Sequence, residues 1–217
     1  MAKNHFRTSN VRNHKNQESE IAMKRIFVVL AMAVCCAAGA QAQMSGGPAV
    51  AAGSQVAPAA TFDALLSQTE GQMVSLVKAM PANTFNFAPS ASIFVPSQKT
   101  EYAGVRTFAA LVIHVTQANY GIGGRISGAK PDVDMASLAG LKDKDQIVAA
   151  LEASFAFVHK QIATLKPANS FESVRGSQTR ISMAAFVTVH ASDEYGQMVE
   201  YLRMNGLVPP ASEKKGM

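Results

Sequence analysis

Apolar residues recur at three- and four-residue spacing in four long stretches of this chain, and polar or punctuating residues separate them. The first stretch, about Thr61 to Met80, carries Phe62, Leu65, Leu66, Thr69, Met73, Leu76, Val77 and Met80 on one face and stops at Pro81, with Thr61 as the N-cap. The second, about Val105 to Ser127, places Phe108, Leu111, Val112, Val115, Ala118 and Ile122 inward, and Gly128 closes it. Ile147, Leu151, Phe155, Val158 and Ile162 mark the inward face of the third, about Lys142 to Leu165. The fourth runs from about Thr179 to Asn205, where Asn205-Gly206 and Pro209-Pro210 supply stop signals. No period-two alternation appears between turn residues, so a sheet is not expected. Four amphipathic helices predict an all-α, four-helix bundle over residues 61–206, with 207–217 as a tail. A connection of about 24 residues, Pro81 to Gly104, is long for a bundle and is expected to run over one end.

The inward stripe of the fourth stretch differs from the others. It reads Met183, Phe186, Val187, His190, Glu194, Gln197, Met198 and Tyr201, so an imidazole and a carboxylate interrupt an apolar face. Side chains at i and i+4 project from one side of a helix, about 6 Å apart along the axis. Burying them costs several kcal/mol unless each finds a partner, and a cation satisfies both. His114, at the margin of the second stripe, can supply a third ligand from a neighbouring helix, giving a two-histidine, one-carboxylate set with open positions. Zinc, nickel and iron all suit these donors. Gln197 reads equally as a group orienting a ligand or as a buried amide. The plain alternative is an ordinary helical ion pair between His190 and Glu194, and for His114 spacing alone favours a hydrogen-bonded histidine over a ligand. His159 has no carboxylate or histidine at useful spacing and reads as a structural or surface residue. Tyr120, Tyr195 and Tyr201 read as packing before gating residues. Gly121, Gly123 and Gly124 match no phosphate-binding pattern and are expected to mark a weak or bent part of the second helix. Nothing resembles a nucleophile elbow, which removes a serine hydrolase from consideration.

Composition changes this picture at the N-terminus. Met23-Lys24-Arg25 precedes an uncharged apolar run from Ile26 to Gly39 and then Ala40-Gln41-Ala42, the pattern of a secretory signal cleaved after Ala42. Residues 1–22 are polar and predict a start-site artefact or disordered leader, with translation from Met23; His5 and His14 fall there and carry no role. Residues 43–60, rich in Ala, Gly, Ser, Gln and Pro, read as a flexible linker. The expected location is periplasmic or secreted, with no membrane span once the signal is removed, because the apolar run is shorter than the roughly 20 residues spanning requires. Residues 1–42 hold six of the 20 Lys/Arg and two of the 15 Asp/Glu, which leaves 14 basic against 13 acidic residues. The basic character therefore belongs to the leader, and a nucleic-acid partner loses its electrostatic support. Cys35 and Cys36 both lie in the signal, so the mature chain has no disulfide and no thiolate ligand.

Several segments together carry a family resemblance. The Ala79-Met80-Pro81 helix end, Val105-Arg106-Thr107-Phe108 leading to His114 and Ala118-Asn119-Tyr120, and the run from Gly196-Gln197 through Pro210 resemble the DinB/YfiT-like four-helix-bundle proteins over about residues 61–210. The resemblance implies a divalent metal, commonly zinc or nickel, held by a histidine of helix two and two histidines four apart on helix four. His114 and His190 match that pattern, and Glu194 departs from it by standing in the place of the third histidine. It further implies a metal-dependent hydrolase or a thiol-dependent transferase acting on a small-molecule substrate. Cytoplasmic thiol cofactors fit an exported chain poorly. The alternatives from other classes are a non-catalytic metal-binding bundle and a structural or interaction bundle, dimeric through an exposed helix face, with a degenerate site.

Overall fold

Each long helix is delimited by local chemistry that the chain carries at its ends. The computed structural model describes residues 50–90 and 102–213. The leader 1–22, the signal segment 23–42, linker residues 43–49, residues 91–101 of the long connection and 214–217 of the tail lie outside the described residues.

Helix α1 spans Pro58–Ala79. It begins before the expected Thr61, because Pro58 suits a first turn in which its missing N–H has no partner to lose. Thr61 is thus inside the helix, where its hydroxyl donates to Ala57 O at 3.2 Å. Helix α2 spans Phe108–Ser127, three residues shorter at its start than the periodicity predicts, since Thr107 is the N-cap and accepts from Ala110 N at 3.1 Å. Its first amides are covered by the preceding connection: Phe108 N donates to Phe87 O at 2.8 Å and Ala109 N to Phe85 O at 2.9 Å. Gly128, at φ 81°, ends it in the left-handed conformation expected of a C-terminal glycine.

A short helix absent from the sequence expectation, α3 (Met135–Ala139), follows, capped by Asp134. Helix α4 covers Lys144–Ile162 behind the Asp143 cap. The expectation of no sheet is corrected by a small antiparallel hairpin, β1 (Ser173–Arg175) and β2 (Gln178–Thr179), which turns through Gly176 at φ 56° and Ser177. Strands of three and two residues are too short to show an alternating pattern, so only the glycine marks them. Helix α5 (Arg180–Met204) starts directly from β2 through a reciprocal capping box between Thr179 and Ser182. A 3-10 turn, Pro210–Ser212, lies in the expected tail and packs back on α1.

The pairing of helices explains the long connections. Helix α2 packs against α4 and α5, and α1 packs against the same two helices from the other side. Sequence neighbours α1 and α2 therefore sit diagonally, as do α4 and α5, and each diagonal step needs more chain than a tight turn between adjacent helices supplies. Between the four helices lies one core in which Met73 and Leu76 of α1, Val112 and Val115 of α2, Leu151 and Phe155 of α4, and Val187 and Met198 of α5 are all buried. Burying one such side chain contributes about 1.5–3 kcal/mol. Among the described residues no helix is long and apolar enough to cross a membrane.

The glycines of α2 do not interrupt it. Gly123 and Gly124 are buried within a continuous helix: a Cβ on Gly123 would meet Val158 Cγ2 at 2.9 Å, and one on Gly124 would meet Ala129 O at 2.6 Å. They serve close approach, of α4 in one case and of the returning chain in the other.

Candidate metal centre

The buried line of α5 runs Met183, Val187, Ala191, Glu194, Met198 and Tyr201, so Glu194 occupies a core position that an aliphatic residue would fill in an ordinary bundle. Glu194 is 6 % exposed. His190, one turn earlier, sits on the flank of that line, and His114 faces it from α2, the helix packed alongside. Side-chain exposure is 32 % for His114 and 19 % for His190, so the group opens toward solvent on its imidazole side and is closed on its carboxylate side.

Three ligand atoms converge. His114 Nε2 lies 3.2 Å from His190 Nε2 and 3.4 Å from Glu194 Oε1, and the remaining edge, His190 Nε2 to Glu194 Oε1, is 4.0 Å. A point equidistant from the three atoms lies about 2.1 Å from each, which matches the roughly 2.0–2.2 Å bonds that zinc makes to imidazole nitrogen and carboxylate oxygen. The hydrogen-bond inventory fits a cation there as well. Glu194 Oε2 and His190 Nδ1 are buried without a protein hydrogen-bond partner, an arrangement that costs about 1–3 kcal/mol per group and is rare without compensation. A divalent ion offsets the carboxylate's part of that cost, while His190 Nδ1 keeps no protein partner in either case.

Electrostatics prepare the donors. Burial lowers the pKa of His114 below its ordinary value; the Glu194 charge works against this, and Arg106 and His190 reinforce it. The net direction is downward, which leaves the imidazole neutral and its lone pair available at neutral pH. Arg106 immediately precedes the α2 cap, and its carbonyl accepts from the Tyr201 hydroxyl at 3.0 Å, tying the start of α2 to α5 two turns beyond Glu194. Burial first, then the Glu194 and Tyr102 charges, raise the Tyr201 pKa, so that phenol stays protonated and acts as a tie. With Phe87 at 5.8 Å and Phe108 at 6.5 Å between ring centroids, Tyr201 belongs to an aromatic packing cluster.

Of the residues singled out from sequence, His114, His190 and Glu194 are brought together and Gln197 is not. Gln197 is exposed and makes no hydrogen bond to the cluster, because it follows Glu194 by three residues on the solvent side of the buried line. Phe186, expected inward, is 48 % exposed and stands edge-on to His190 at 6.3 Å. His159, read as structural or surface, has partners that spacing on its own helix does not show: its Nδ1 meets Asp63 Oδ1 at 2.5 Å and its Nε2 meets Glu70 Oε2 at 2.9 Å. Both carboxylates lie on α1, and spacing within one helix could not reveal them. Arg106 was not anticipated as a neighbour of the site, and nothing in its local sequence marks it.

A helical bundle in which two imidazoles and a buried carboxylate converge from adjacent helices defines a class: bundle proteins with a side-chain group able to bind a metal ion. The chain belongs to the DinB superfamily, whose sequence model matches residues 65–198, a span that contains all three ligand candidates. No curated protein matches the chain at a significant level.

Proposed function

We propose that the chain is an exported metalloenzyme of hydrolytic type, in which His114, His190 and Glu194 hold a divalent ion, zinc or nickel, beside an open position for a small-molecule substrate. The observation that carries this reading is the convergence of three ligand atoms around a point at bonding distance, with two of the side chains partly exposed and the third buried. A purely structural site is closed by its ligands, whereas three protein ligands leave room for a reacting molecule. A divalent ion bound there supplies Lewis acidity toward a carbonyl or phosphoryl oxygen and lowers the pKa of water. The chain does the rest. His114 and His190 would hold the ion through Nε2, and Glu194 Oε1 faces both imidazoles. Glu194 Oε2, buried and free of any hydrogen bond, lies on the closed side, where the carboxylate would offset the charge of the ion. Thiol transfer uses the same open position and is the second chemistry that superfamily membership supports.

Cobalt substitution tests the open position. The d–d absorption of cobalt-loaded protein is expected to change on addition of azide or a small thiol, and to lose this response in His114→Ala. A cobalt spectrum indifferent to both ligands would contradict an open position and leave a closed, structural site.

A further inference from the structure

A second concave feature lies at the other end of α2 and α5. The C-terminal turn of α2, the chain returning from it, the hairpin and the first residue of α5 enclose a cleft of about 540 Å³. Ten residues separate Arg180 from His190 on α5, and eleven separate His114 from Arg125 on α2, so the cleft is about 15 Å along the bundle from the metal centre. Its volume is in the range of small-molecule sites.

Four cations line it, Arg125, Lys130, Arg175 and Arg180, and no acidic side chain does. This is a concentration, since residues 43–217 are nearly neutral with 14 basic and 13 acidic residues. Arg180 is held in place by its own contacts: Nε donates to Glu172 Oε2 at 2.9 Å and one terminal nitrogen to Ile126 O at 3.1 Å. That second bond also covers a carbonyl at the α2 C-terminus, where Gly128 N covers Gly124 O, so the negative end of the helix is blunted by internal donors. Arg125, Lys130 and Arg175 have no ion-pair partner among the described residues. Four like charges around one concavity, three of them without counter-charge, repel one another, and an anion in the cleft relieves that repulsion.

A second observation points the same way. Tyr120 lines the cleft, is only 5 % exposed, and its hydroxyl has no hydrogen-bond partner among the described residues. Its ring is held against Phe157 at 5.2 Å between centroids, which fixes the hydroxyl at the cleft wall without a protein acceptor. The amides at the start of α5 are partly used by the Thr179–Ser182 capping box, which leaves the side chains as the source of the positive field.

We propose that this cleft is a binding site for a small molecule carrying a compact, multiply charged oxyanion, a phosphate or a polycarboxylate, held by Arg125, Lys130, Arg175 and Arg180 with the Tyr120 hydroxyl as an additional donor. Arginine forks match such groups with paired hydrogen bonds, and a dianion or trianion balances the local charge. The concave shape selects a small molecule over an extended polyanion, which would need a flat basic stripe.

The site offers a clean way to block it. Gly121 lies on the cleft wall, and a Cβ added there meets nothing within 4 Å, so Gly121→Phe brings a ring to the cleft with no clash at its Cβ. The full chain is titrated calorimetrically with inorganic phosphate and, separately, with citrate, at constant ionic strength set by chloride. Saturable binding of one or both is expected, which also separates the phosphate from the polycarboxylate source. Binding should weaken about tenfold in Arg125→Gln and in Arg175→Gln, both at exposed positions, and should vanish in Gly121→Phe. His114→Ala should bind as the unaltered chain does, which separates this cleft from an anion resting at the metal centre. No saturable binding of either anion, binding undiminished in Gly121→Phe and Arg175→Gln, or binding only to a polyanion such as heparin would each overturn the proposal.

Discussion

Glu194→Gln is expected to change the sign of its effect on stability with metal. In the protein without metal, Glu194 is a carboxyl group 6 % exposed whose Oε2 has no partner and whose Oε1 faces imidazoles at 3.4 and 4.0 Å. Burial holds the nearer imidazole, His114, below its usual pKa, so at pH 7 it is neutral and offers no counter-charge. Glutamine keeps the shape, removes the charge and supplies a donor that the neutral His114 ring can accept. Relief of one uncompensated buried group is worth about 1–3 kcal/mol, and each kcal/mol moves the melting temperature of a domain this size by about 2–4 °C. The metal-stripped variant should therefore melt several degrees above the metal-stripped wild type. With zinc at about a hundred times its dissociation constant, the wild type gains about 2.7 kcal/mol, while the variant, missing a charged ligand, gains far less. Unfolding of the four samples by urea and by heat checks the inversion. A variant less stable by the same amount with and without zinc would refute the reasoning, because it would mean that Glu194 is paired within the protein and that the structural-bundle alternative holds.

Other consequences are more local. Burial alone would lower the His159 pKa, but its hydrogen bonds to Asp63 and Glu70 and their charges outweigh that and raise it. The resulting stabilisation, roughly 0.5–1 kcal/mol, is fully present below about pH 6.5 and is lost as pH rises through the raised value. The stability difference between wild type and His159→Gln, measured by urea unfolding from pH 5.5 to 9, should thus shrink with rising pH, and a difference constant across that range would contradict the assigned partners. Gly121→Ala and Gly124→Ala, three residues apart in α2, should move stability in opposite directions. The first adds helix propensity in open space, worth about 0.5–1 kcal/mol. The second drives a Cβ to 2.6 Å from the Ala129 carbonyl and should cost about 1–3 kcal/mol, both read from urea midpoints.

Much of the bundle was legible because each helix buries one stripe, and a stripe of period 3.6 shows in a single sequence. Leu151, Phe155, Val158 and Ile162 are fully buried as their spacing implies. Helix ends were legible at Thr179 and Gly128, and misplaced at α2, whose Thr107 cap lies inside the expected start, and at α1, where Pro58 starts the helix without a capping side chain. The hairpin was missed because five residues carry no period. His190 and Glu194 stood out because polar groups interrupted an apolar face, whereas Gln197, on the same helix, was misassigned by one position of rotation. Partners separated by most of the chain left no local trace: Asp63 and Glu70 around His159, the diagonal placement of α1 and α2, and the four cations that meet only when α2, the hairpin and α5 are folded together.

The claim on which the rest depends is that His114, His190 and Glu194 hold a metal ion. Elemental mass spectrometry of the full chain, purified without a metal-affinity tag and dialysed, measures it directly beside His114→Ala, His190→Ala and Glu194→Ala. Close to one zinc or nickel per chain, lost in all three variants, is the predicted result. A chain that takes up no divalent metal even after incubation with zinc or nickel, or one whose metal survives all three substitutions, would contradict the account.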